Sequence, residues 1–121
     1  MNEALNSLAR LTAFTHAVFG TVLYTSTTPS LSQLSLSSLS DQMQVSIVAD
    51  ATGVATISVQ NFRGPNGYLI GIATGTTISN MVSCTAQSYT TGTSTANFTF
   101  KVEDDASTAV DQGYNFILVA F

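Results

Sequence analysis

The sequence predicts an all-β chain: an antiparallel β-sandwich of about seven strands, jelly-roll or Ig-like, preceded by an N-terminal helix or arm. Three observations predict it. From Met43 onward, apolar residues recur with a period of two, the spacing of a strand with one buried face. Short clusters of Gly, Asp, Asn and Pro punctuate these runs at turn spacing. No long helical pattern separates them, which excludes a parallel α/β architecture.

Residues 1 to about 24 read as a helix and its exit. Met1, Ala4, Leu8, Leu11, Thr15, Val18 and Val22 alternate in spacings of three and four, a heptad-like seam. In this reading Leu5, Leu8, Leu11, Phe14 and Val18 belong to an anchoring arm, although a helix packed on its own domain fits the seam as well. A strand at 21–25 is the alternative use of the end of this zone. Residues 25–42, "TSTTPSLSQLSLSSLSDQ", form a connector rich in Ser and Thr. Its leucines, Leu31, Leu34, Leu36 and Leu39, are too frequent for a free linker, and Pro29 argues against a continuous helix. The segment is expected to lie along a surface with its leucines down. The chain therefore divides into an arm and connector, 1–42, and a sandwich domain, 43–121.

Within the sandwich, "MQVSIVA" turns Val45, Ile47 and Ala49 to one face, and "DATG" supplies a turn with Gly53 at positive φ. "VATISVQNF" returns with Ala55, Ile57 and Val59 inward; "RGPNG" turns again into "YLIGIAT". "MVSCTAQSY" and "NFTFKVE" follow, the latter with Phe98, Phe100 and Val102 inward and Asn97, Thr99, Lys101 and Glu103 outward. An acidic loop, "DDASTAVDQG", leads to the closing run "YNFILVAF". Alternation assigns Phe116, Leu118 and Ala120 to one face of that run and Ile117, Val119 and Phe121 to the other. A strand apolar on both faces must be covered twice, so Phe116, Ile117, Leu118, Val119 and Phe121 are expected in a core or an oligomer interface. The second cover is the N-terminal helix, the leucine connector or another copy.

Composition narrows the function. Charged residues make up 8% of the chain, and 33 Ser and Thr supply the polarity instead. With a net charge of −4 and three basic residues (Arg10, Arg63, Lys101), nucleic acid is not an expected partner. No apolar run reaches the ~18 residues of a membrane span, and the N-terminus lacks the features of a signal peptide. The chain is expected to be made in the cytoplasm and to meet no membrane.

No catalytic constellation emerges. His16 is the single histidine and is distant in sequence from Cys84 and from most serines, and Cys84 reads as a small core residue. No enzyme activity, cofactor or metal is expected. Asp104, Asp105 and Asp111 form the one candidate ligand loop, with calcium ligation or general acid–base work as the roles their oxygens suit and a solvated loop as the plainer reading. Lys101 on an outward face does not suit an isopeptide crosslink, and the "NFT" sequon at Asn97 matters only in a secreted chain.

The stretch "VADATGVATISV" and the terminal "YNFILVAF", in a low-charge Ser/Thr-rich sandwich, resemble small virion proteins of tailed bacteriophages, of the head-decoration and fibre types. The resemblance implies a structural protein of the virion, synthesised in the host cytoplasm. It also implies homo-oligomers, commonly trimers, whose partners are other virion proteins such as the major capsid protein. A decoration or cement role through the N-terminal region fits the short chain best. The alternatives are a receptor-binding fibre or spike domain with glycan contacts at Tyr68, Tyr89, Asp104 and Asp105, and a bacterial surface adhesin module.

Overall fold

A computed structural model describes residues 16–36, 43–64 and 66–121. They form eight strands: β1 (His16–Thr25), β2 (Thr28–Leu36), β3 (Gln44–Ala51), β4 (Val54–Gln60), β5 (Leu69–Gly75), β6 (Met81–Thr90), β7 (Thr95–Glu103) and β8 (Tyr114–Ala120). The strands make two antiparallel sheets, sheet A in the order β2-β1-β8-β5 and sheet B in the order β3-β4-β7-β6. The sheets meet face to face, with β5 against β6 and β2 against β3 at the edges. No helix is present among the described residues, and none is long and apolar enough to cross a membrane.

The core follows from the alternation. Ile57 and Val59 of β4, Phe98, Phe100 and Val102 of β7, and Leu118 of β8 are fully buried, with Phe116 2% exposed. Phe62, just after β4, closes one end against Phe98, ring centroids 6.1 Å apart and edge-on. At the β3–β4 turn Gly53 takes φ +69, and a Cβ there would press on the Val102 carbonyl at 2.8 Å.

Two expectations are corrected. The helix to about residue 24 and the domain boundary at 43 do not hold for the described part of that zone, because residues 16–25 are a central strand of sheet A. Val18 belongs to the core, 0% exposed beside Val22, and not to an arm. The physical reason is in the strand itself. "HAVFGTVLYT" is rich in β-branched and aromatic residues and carries Gly20, all poor helix formers. Leu5, Leu8, Leu11 and Phe14 lie outside the described residues. The connector is likewise a strand over Thr28–Leu36, whose leucines fit no simple period because Gln33 turns to φ 52 beside a register shift at Phe19/Thr21. Leu31 and Leu36 pair with Val22 and Val18, while Leu34 reaches Gly20.

Smaller departures have the same kind of cause. A bulge between Cys84 and Ala86 turns Ala86 out, leaving Cys84 half-buried against the core, and burial pushes its thiol pKa up. A second bulge between Ala49 and Ala51 exposes Ala49.

At the end of the core nearest the 104–113 loop, the Tyr24 and Tyr114 hydroxyls are buried with no hydrogen-bond partner among the described residues. Burial, and then the neighbouring Tyr24, push Tyr114 above the ordinary value of 10.0; burial, Asp111 and Asp50 push Tyr24 the same way. Both phenols are thus held neutral in the folded state. The stability tied to them is complete below about pH 10 and falls as pH rises beyond it, because the unfolded chain ionises first. Tyr114→Phe is expected to move the alkaline unfolding midpoint upward and to gain about 1 kcal/mol at pH 7, since it removes an unpaired buried hydroxyl. Urea unfolding at pH 7 and pH 11 checks this. A loss at pH 7 would mean that the hydroxyl has a partner.

Candidate functional site

The two outer faces of the sandwich differ in chemistry. On sheet B, outward side chains form a polar ladder. The Thr56 and Thr99 hydroxyls are 2.9 Å apart, Ser58 Oγ donates to Asn97 Oδ1 at 2.6 Å, and Lys101 lies 3.9 Å from Glu103. Val48 and Met81 on the edge strands are exposed apolar exceptions, and the rest of this face is satisfied by its own bonds and by water.

Sheet A is the opposite. Its four strands contain no Asp, Glu, Lys or Arg. Register places Phe19, Ile117 and Ile72 in one row across β1, β8 and β5, with Ala17, Val119 and Ile70 in the next. A polar row follows, where Thr21 Oγ1 donates to Asn115 Oδ1 at 2.8 Å beside Thr74, and Leu23 stands beyond it. The serines of β2, Ser30, Ser32 and Ser35, border the apolar rows on one side. Exposure of the large side chains runs from 40% at Ile117 to 56% at Ile72. Covering the exposed halves of Phe19, Leu23, Ile70, Ile72 and Ile117 would contribute about 1 kcal/mol each.

Of the residues assigned to the closing strand, Phe116 and Leu118 are in the core, Ile117 is on this outer face, and Val119 is half-buried beside it. Phe121 carries the β5–β8 pairing one step past Leu69 and Ala120. Its N–H donates to the Tyr68 carbonyl at 3.0 Å, its carbonyl accepts from the Tyr68 N–H at 2.9 Å, and their rings are 5.6 Å apart. Phe19, Leu23, Ile70 and Ile72 complete the apolar face and were not assigned to it from sequence. The signal was there in "YLIGIAT", where Ile70 and Ile72 alternate with small residues.

The acidic loop uses its carboxylates internally. Asp104 Oδ1 accepts the N–H groups of Ala106 and Thr108, both at 2.9 Å, and Asp111 Oδ1 accepts the Gly53 N–H at 2.7 Å. Asp105 is exposed. No group of three or more His, Cys, Asp or Glu that could hold a metal occurs among the described residues. His16 packs on Phe62, ring centroids 6.3 Å apart, and its Nδ1 accepts the Arg63 N–H at 3.3 Å. Tyr68 and Tyr89 line one cavity, whereas Asp104 and Asp105 follow β7 at the other end of the sandwich, a strand's length away. No family model, curated protein or solved structure matches the chain.

Proposed function

We propose that the protein is a structural virion component of the decoration or cement type, a homo-oligomer that buries the outer face of sheet A between copies. The observation that carries the reading is the uncharged sheet A with its apolar rows through Phe19, Ile117 and Ile72. An interface centre depleted of charge is typical of protein–protein contacts. A face without charge also meets copies of itself without like-charge repulsion, which suits a cyclic assembly. Three copies around an axis, each turning sheet A inward, would leave the polar ladder of sheet B to solvent. The strand orders fit an Ig-like sandwich better than a jelly roll. β3-β4-β7-β6 and β5-β8-β1 follow the ABED and CFG orders, with the chain opened between the last two strands and β2 added at an edge.

In this reading the segment before β1 makes the contact with the capsid shell. Deleting residues 1–15 is expected to leave a folded, oligomeric sandwich that no longer joins particles. Particle purification followed by quantitative gel analysis tests it. Hundreds of copies of the intact protein per particle, and none of the truncated one, is the expected result. A few copies per particle would favour a fibre, and unchanged incorporation would place the anchor on the sandwich.

A further inference from the structure

One end of the sandwich holds a cavity of about 400 Å³ between the β4–β5 loop, the start of β5 and the end of β6. That volume is in the range of small-molecule sites, roughly 300–1,000 Å³. Phe62 and Leu69 give it an apolar wall, Tyr68 and Tyr89 an aromatic one, and Arg63 and Thr91 a polar one.

Three features of this cavity bear on a ligand. Tyr68 is 63% exposed, yet it is pinned by the paired backbone hydrogen bonds and the ring contact with Phe121. Gly64 lets this happen, because a Cβ there would collide with the Phe121 backbone. Tyr68 is therefore a fixed aromatic plate facing water, already ordered before anything binds. Next, the Tyr89 hydroxyl is buried without a hydrogen-bond partner among the described residues, and a ligand hydroxyl would supply one. Finally, of the two cations among the described residues, Lys101 sits near Glu103, whereas Arg63 has no ion pair with another described residue. No Asp or Glu among the described residues lines the cavity.

We propose that this cavity binds an acidic saccharide, a pyranose carrying a carboxylate. The C–H face of the ring lies on Tyr68, a ring hydroxyl meets Tyr89 or Thr91, and the carboxylate pairs with Arg63. A guanidinium matches a carboxylate with two parallel hydrogen bonds, which a neutral sugar cannot offer. The lack of acidic residues in the lining favours the acid over neutral or amino sugars, whose hydroxyls and ammonium groups call for carboxylate acceptors. Tyr68 stands one step along β5 from the outward Ile70 and Ile72, so the site borders the outer face of sheet A, but its chemistry does not rest on the assembly role.

The test uses the full chain and two-dimensional amide NMR, titrated to about 10 mM with methyl β-glucuronide or 3′-sialyllactose, and with lactose as the neutral control. Either acid is expected to shift the amides of Arg63, Gly67, Leu69 and Thr91, with lactose at least about tenfold weaker. Arg63→Gln, at an exposed position, is expected to lower the acid's affinity about tenfold or more and to leave the lactose response unchanged. Tyr68→Ala is expected to abolish both. The proposal is overturned if neither acid binds, if the shifts map elsewhere, or if acid and lactose bind alike in the presence and absence of Arg63.

Discussion

Ile117→Asp is expected to convert the proposed assembly into folded monomers. Ile117 occupies the centre of the exposed apolar row, between Phe19 on β1 and Ile72 on β5. In a single copy its side chain is 40% exposed, so an aspartate there can reach water and the sandwich is retained. Across a closed interface the same carboxylate would be buried against uncharged neighbours, at a cost of several kcal/mol. A loss of about 3 kcal/mol per contact raises the dissociation constant roughly a hundredfold. Size-exclusion chromatography with light scattering, paired with circular dichroism, reads both quantities. Ser83→Asp, exposed on β6, is the matched control and is expected to leave assembly intact. If Ile117→Asp and Ser83→Asp behave alike, the outer face of sheet A is solvent.

The second large effect concerns the start of the chain. Removing residues 1–24 would delete nearly all of β1, which sits between β2 and β8 and contributes Val18 and Val22 to the core. β2 would lose its partner in the sheet, and β8 would expose a full row of unpaired backbone groups. Losing two fully buried valines alone costs several kcal/mol, a large part of a typical domain's 5–15 kcal/mol. The expected result is a chain with no cooperative thermal transition, in contrast to the folded deletion of residues 1–15. A cooperative melt of the 25–121 fragment would show that sheet A tolerates the gap.

These two predictions also mark where the sequence was readable. β7 was plain because Phe98, Phe100 and Val102 alternate with Asn97, Thr99 and Lys101, and no helical face can be drawn through them. β8 was plain for the opposite reason, an unbroken apolar run too short to be a buried helix. β1 was not. Val18 and Val22 are four apart, so they extend a helical seam as readily as they mark every other inward position of a strand around Gly20. What separates the readings is pairing with β8, and pairing across nearly a hundred residues has no local signature. β2 hid for a different reason: the left-handed Gln33 displaces Leu34, so the leucines obey neither period.

The candidate face was half legible. Ile117 and Val119 announced an apolar outer side, but its width depends on β1 and β5 flanking β8, which places Phe19, Ile70 and Ile72 beside them. The cavity at the other end was less legible still. Tyr68 and Tyr89 stand out in the sequence, yet only the fold brings Tyr89 to the cavity that Arg63 and Tyr68 line and carries Asp104 away.

The central claim is that another copy covers the outer face of sheet A, and sedimentation equilibrium of the intact protein from about 1 to 100 µM tests it most directly. The expected result is a single oligomeric species, a trimer, with no detectable monomer across that range. A stable, folded 12.7 kDa monomer at every concentration would contradict it.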